Sequence, residues 1–97
     1  MIFNMLAESI LDDRYPQGDS AFVAIRVFRV PECVLGSKHG LKYSLAYVVD
    51  GVCVLRFDNE AGKGDHFHRG EMEAPYAFTS LEILLTDFWN AVDAWGN

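Results

Sequence analysis

Two apolar blocks, residues 41–49 and 52–57, are separated only by Asp50-Gly51. Both central positions of a type I′ turn need positive φ, which Asp and Gly tolerate, so the pattern predicts a tight β-hairpin. Upstream, Phe22-Val23-Ala24-Ile25-Arg26-Val27-Phe28-Arg29-Val30 is dense in β-branched and aromatic residues, and Pro31 removes the next ladder donor. A strand is predicted to end there, with Arg26 and Phe28 on one face and Ile25 and Val27 on the other. Residues 2–11 fit a strand or a short helix and are read as a strand. Residues 12–19, polar and carrying Pro16 and Gly18, are read as a connection. From Thr79 the period changes. Leu81, Leu84, Leu85, Phe88 and Val92 recur at helical spacing, with Thr79 and Glu82 at capping-box distance, so an amphipathic helix is predicted.

These pieces bury their apolar sides most simply as two layers. The expected fold is α+β, an antiparallel sheet of three to five strands with the C-terminal amphipathic helix packed on one face. A chain of 97 residues, 51% hydrophobic and 13% aromatic, can offset its conformational entropy around one core but not two. No repeat or linker interrupts it, so a single domain over 1–97 is expected. Trp89 and Trp95 add apolar surface beyond the helical stripe, which suggests a homodimer through the C-terminal helix or a hetero-complex.

Charge changes this picture more than composition does. The net charge of -6 argues against a general phosphate-binding surface. Its distribution softens that argument: Lys38, Lys42, Arg56, Lys63, Arg69 and the histidines His39, His66 and His68 all fall between 38 and 69, while 71–97 holds acids and no base. No apolar run approaches the roughly 20 residues that span a bilayer. Residues 1–11 carry Glu8 and no basic start, unlike a secretory signal. No membrane partner and a cytoplasmic location are therefore expected. Cys33 and Cys53 lack CxxC spacing and are expected to be reduced thiols.

Candidate chemistry concentrates in Asn59-Glu60-Ala61-Gly62-Lys63-Gly64-Asp65-His66-Phe67-His68. Extended backbone over 65–68 would turn His66 and His68 to one side and Asp65 and Phe67 to the other. One chemistry that fits is acid–base catalysis on a phosphodiester: imidazoles move protons near neutral pH, Lys63 or Arg56 stabilises developing charge, and Asp65 orients a ring, with no metal or cofactor. A second is a metal site, in which Asp58, Glu60 or Asp65 completes the His-x-His pair. A third uses Gly62-Lys63-Gly64 as an anion cradle. The ordinary alternative is turn glycines, a solvated lysine and surface histidines. Tyr43, Tyr47 and Tyr76 could orient a substrate, although aromatic residues in strands more often pack.

The runs Lys42-Tyr43-Ser44-Leu45-Ala46-Tyr47-Val48-Val49-Asp50-Gly51, Leu55-Arg56-Phe57-Asp58-Asn59-Glu60, Gly62-Lys63-Gly64-Asp65-His66-Phe67-His68, Pro75-Tyr76-Ala77-Phe78 and Asp87-Phe88-Trp89 together resemble the TumE-like family, toxin components of bacterial toxin–antitoxin pairs. One departure is Phe57, where the family pattern often has tyrosine. The resemblance implies a growth-inhibiting protein held inactive by a cognate antitoxin of helix-turn-helix type. Many small toxins of this size cleave RNA with sheet-borne Arg, Lys, His and Tyr side chains, so by analogy of site type RNA or the ribosome is the expected target. The resulting expectation is a metal-independent, ribonuclease-like toxin. His66, His68, Lys63, Arg56 and Asp65 would be catalytic, and Tyr43, Lys42, Gly62, Gly64, Asn59 and Glu60 would contact substrate. The alternatives are a non-enzymatic binding module with a basic loop and a metal-dependent hydrolase built on the His-x-His pair.

Overall fold

A computed structural model describes residues 7–60 and 62–96. Among the described residues six strands, β1 (Glu8–Pro16), β2 (Ala21–Arg29), β3 (Leu41–Val49), β4 (Val52–Asp58), β5 (His66–Arg69) and β6 (Met72–Pro75), precede one helix, α1 (Leu81–Ala94). The strands form a single sheet in chain order, each antiparallel to its neighbour. The α+β class, the antiparallel sheet and the C-terminal helix are as expected. The strand count is not: six replace the expected three to five.

The extra strands come from segments whose polarity reads as loop. Residues 12–16 continue β1 instead of connecting: all five are exposed, and an edge strand tolerates charged side chains. Asp12 pairs with Arg26 across the ladder, and Pro16 takes the last position, where an edge needs no donor. Of the residues expected to form the first strand, 2–6 lie outside the described residues. At the other edge, Gly70-Glu71 closes a two-residue turn between β5 and β6, with Gly70 at φ 59. The Asp50-Gly51 hairpin forms as expected, with both turn residues at positive φ, 51 and 79.

The core lies between one sheet face and α1. Val23, Ile25 and Val27 of β2, Tyr43 and Leu45 of β3, and Leu55 and Phe57 of β4 are buried against Leu84, Phe88 and Val92. Phe57 meets the edge of Phe88 at 5.7 Å between ring centres. The helix starts one residue later than the capping box predicts. Ser80 is the N-cap, extended at φ -152, and its hydroxyl accepts from the Ile83 N–H. Trp89 and Trp95 are half-buried within the chain: Trp89 lies against Tyr15 and Phe88, and the Arg69 guanidinium sits over Trp95. Cys33 and Cys53 are free thiols. Among the described residues, no helix is long and apolar enough to cross a membrane.

Register fixes what the opposite face carries. One row of paired positions runs Arg14, Ala24, Ala46, Arg56, His68, Glu73, and the next runs Asp12, Arg26, Ser44, Asp58, His66, Pro75. Ala24 and Arg26 alternate with the buried Val23, Ile25 and Val27, so both rows face away from the helix.

Candidate functional site

The two rows end in a shallow cleft of about 380 Å³ lined by Cys53, Arg56, Asp58, Lys63, His66, His68, Gly70 and Glu73. Four of the five expected catalytic residues meet here: His66, His68, Lys63 and Arg56. Strand alternation turns both imidazoles to the same side, and their ring centres are 5.0 Å apart.

Each side chain is held by a named partner. His66 is buried, 6% exposed, and its Nδ1 lies 3.0 Å from the Gly64 carbonyl oxygen. A carbonyl can only accept, so Nδ1 carries the hydrogen and Nε2 is the nitrogen presented to the cleft. That Nε2 lies 3.4 Å from Asp58 Oδ1 and 3.4 Å from Glu73 Oε2. His68 Nε2 lies 3.2 Å from the same Glu73 oxygen, which also accepts from Lys63 Nζ at 3.3 Å. The Lys63 hydrogen bond is the main cause that holds the Glu73 carboxyl below its ordinary range, with the two imidazoles adding to it. Arg56 approaches Asp58 Oδ2 at 3.9 Å. Asp58 itself is 6% exposed, and among the described residues its Oδ1 has no hydrogen-bond partner.

Asp65, expected to orient one of these rings, holds a different histidine. Its Oδ1 accepts from Ser37 Oγ at 2.6 Å, and its Oδ2 accepts from His39 Nε2 at 2.7 Å and Tyr43 Oη at 2.8 Å. Burial alone would raise this carboxyl, but the three donors outweigh it and the group is held below its ordinary range. Tyr43, fully buried, is pushed well above the usual phenol range by burial and by its bond to Asp65. His39 stacks on Phe78, 3.7 Å between ring centres, and its Nδ1 accepts from the Leu41 N–H, so both ring nitrogens are engaged. This network braces the core side of the sheet.

The remaining expected substrate contacts lie outside the cleft. Asn59 is 0% exposed. Its Oδ1 accepts from the Tyr43 N–H, and its Nδ2 donates to the Leu41 carbonyl and to Ser37 Oγ, so it pins the end of β4 to β3. Lys42 and Glu60 line a separate cavity of about 780 Å³ beside Arg26 and Phe28. Gly62 and Gly64 adopt positive φ, 79 and 90, but Gly64 packs directly on Gly36: a Cβ on Gly36 would stand 2.4 Å from Gly64 N. Ala61 lies outside the described residues.

Glu73 is a site residue that the motifs of the sequence do not single out. Its signal is present in His68-Arg69-Gly70-Glu71-Met72-Glu73, since a two-residue turn at Gly70-Glu71 sets position 73 opposite 68. Asp58 enters from sequence only as a metal ligand, and its pairing opposite His66 follows from β4–β5 register, which nothing local specifies.

The sequence also matches the family model of toxin TumE over residues 4–96. The chain belongs to the TumE toxin family. Neither the curated proteins nor the solved structures contain a significant match. In general a TumE toxin has a cognate antitoxin.

Proposed function

We propose that this TumE toxin cleaves RNA in the cleft between β4, β5 and β6, by acid–base chemistry that needs no metal. The observation that carries the reading is a pair of imidazoles 5.0 Å apart flanked by the cations Arg56 and Lys63. The reaction is a transfer within one phosphodiester. The 2′ oxygen bonds to phosphorus as the P–O5′ bond breaks. One imidazole takes the 2′-hydroxyl proton and the other gives a proton to O5′, leaving a 2′,3′-cyclic phosphate and a 5′-hydroxyl. Arg56 and Lys63 offset the charge gathering on the phosphoryl oxygens.

The sheet face turned away from the helix supports a nucleic-acid substrate despite the net charge of -6. Arg14, Arg26 and Lys42 stand on the same face as Arg56. The Arg14 guanidinium lies 3.8 Å from the Phe22 ring centre and that of Arg26 lies 5.2 Å from Phe28. Cations interleaved with aromatic rings suit a single strand, whose phosphates pair with the charge while its bases stack. The cognate antitoxin, of helix-turn-helix type by the family resemblance, would silence the protein by covering this face.

The test is expression of the wild-type chain and of the His66→Ala/His68→Ala variant in bacteria, with total RNA analysed, beside purified protein acting on RNA and all-deoxy oligonucleotides in chelator. The expected result is growth arrest and RNA cut to cyclic-phosphate ends by wild type only, with the deoxy strand intact. A folded double variant that still arrests growth would sink the catalytic reading in favour of a binding module.

A further inference from the structure

We propose that Asp58, His66, His68 and Glu73 form a binding site for a divalent transition-metal ion of the zinc class. Two imidazole nitrogens and two carboxylates are the donor set that borderline cations such as Zn²⁺ take. The ion site shares residues with the proposed RNA-cleaving cleft but does not rest on that reading.

The first observation is an electrostatic mismatch. With Nδ1 of His66 donating to the Gly64 carbonyl, its Nε2 faces two carboxylate oxygens, each 3.4 Å away. Two carboxylates gathered at one ring nitrogen are a place that a cation would satisfy. The second is Asp58 Oδ1, a buried carboxylate oxygen without a hydrogen-bond partner among the described residues, although an unsatisfied polar atom in such a place is costly. The donor atoms of Asp58, His66 and His68 all lie within 4.8 Å of one another.

The spacing of the donors also fits. Zinc bonds of about 2.0–2.1 Å in a tetrahedron place neighbouring donors about 3.3 Å apart. Three contacts are near that value, 3.4 Å for His66 with Asp58, 3.4 Å for His66 with Glu73 and 3.2 Å for His68 with Glu73; Asp58, His66 and His68 form the compact set, which Glu73 joins through the two imidazoles. The Gly64 carbonyl on Nδ1 fixes the His66 tautomer, as the outer partner of a metal-bound histidine ordinarily does. Lys63, which bonds Glu73, would release it to the ion. An ion bonded to both Nε2 atoms leaves neither imidazole free to move a proton, so occupancy would switch the acid–base chemistry off.

The experiment titrates the chelator-treated full chain with Zn²⁺ by calorimetry and with Co²⁺ by visible absorption. One ion per chain is expected, bound more than about 10-fold more weakly by Asp58→Asn and by His68→Gln, and unchanged by Asp19→Asn on a distant turn. His68 is half-buried on a short strand and Asn is isosteric with Asp, so at least one variant remains testable if the other misfolds. No binding, or binding indifferent to both substitutions, overturns the site. The same samples separate this inference from the proposed chemistry. Stoichiometric binding with RNA cleavage that requires the ion would keep the site and remove the metal-free mechanism, whereas cleavage in chelator together with no uptake of Zn²⁺ or Co²⁺ in the titrations would do the reverse.

Discussion

Three donors, Ser37, His39 and Tyr43, converge on the carboxylate of Asp65. The spacing Asp65-His66-Phe67-His68 places an acid beside two imidazoles, but strand alternation sends it to the opposite side, where it receives Ser37, His39 and Tyr43. Its folded carboxyl titrates below the ordinary aspartate range. The stability it contributes is therefore present above the ordinary, unfolded value and is lost as pH falls through the lower folded one. Asp65→Asn should cost about 2 kcal/mol of unfolding free energy at neutral pH. Denaturant titrations across pH should show the gap to wild type closing in acid; a gap independent of pH would mean that its charge contributes nothing. Asn59 follows the same logic. Its type and neighbours suggest a surface contact, and only the fold reveals that three partners consume its buried side chain.

Elements with a strong local signal are legible in the sequence. The Asp50-Gly51 hairpin and β2 follow from turn chemistry and β-branched density, and the helical stripe from its period, with Leu84, Phe88 and Val92 buried as the spacing requires. The edge strands are not legible, because at an edge polarity stops distinguishing strand from loop. Neither is the Gly36–Gly64 contact, which joins the β2–β3 connection to the loop carrying Lys63 with no periodicity to announce it. Gly36 holds φ 87, and a Cβ there would collide with the Gly64 backbone. Gly36→Ala should lower stability by about 2 kcal/mol or more through the strained φ alone. It should also displace the Gly64 carbonyl from His66, visible as a shifted His66 ring resonance in NMR; an unchanged ring signal would separate the loop from the site.

For the whole molecule, net charge is a poor guide to what one face does. The -6 balance is an average over an acidic tail and a sheet face with Arg14, Arg26, Lys42 and Arg56. A single RNA strand held by three or four of these should show affinity falling with log–log salt slope of about -2 to -3. Arg14→Glu/Lys42→Glu should weaken binding and flatten that slope while the cleft keeps its residues. A slope near zero in wild type would place binding elsewhere. The chain's own order adds a consequence in time. Each strand of the meander pairs with its predecessor, and every side chain of the cleft falls between positions 53 and 73. A sheet of this kind closes no long loop and can zip up as it leaves the ribosome. The cluster is complete only when β6 emerges, so its side chains have no place to meet until three-quarters of the chain has been made.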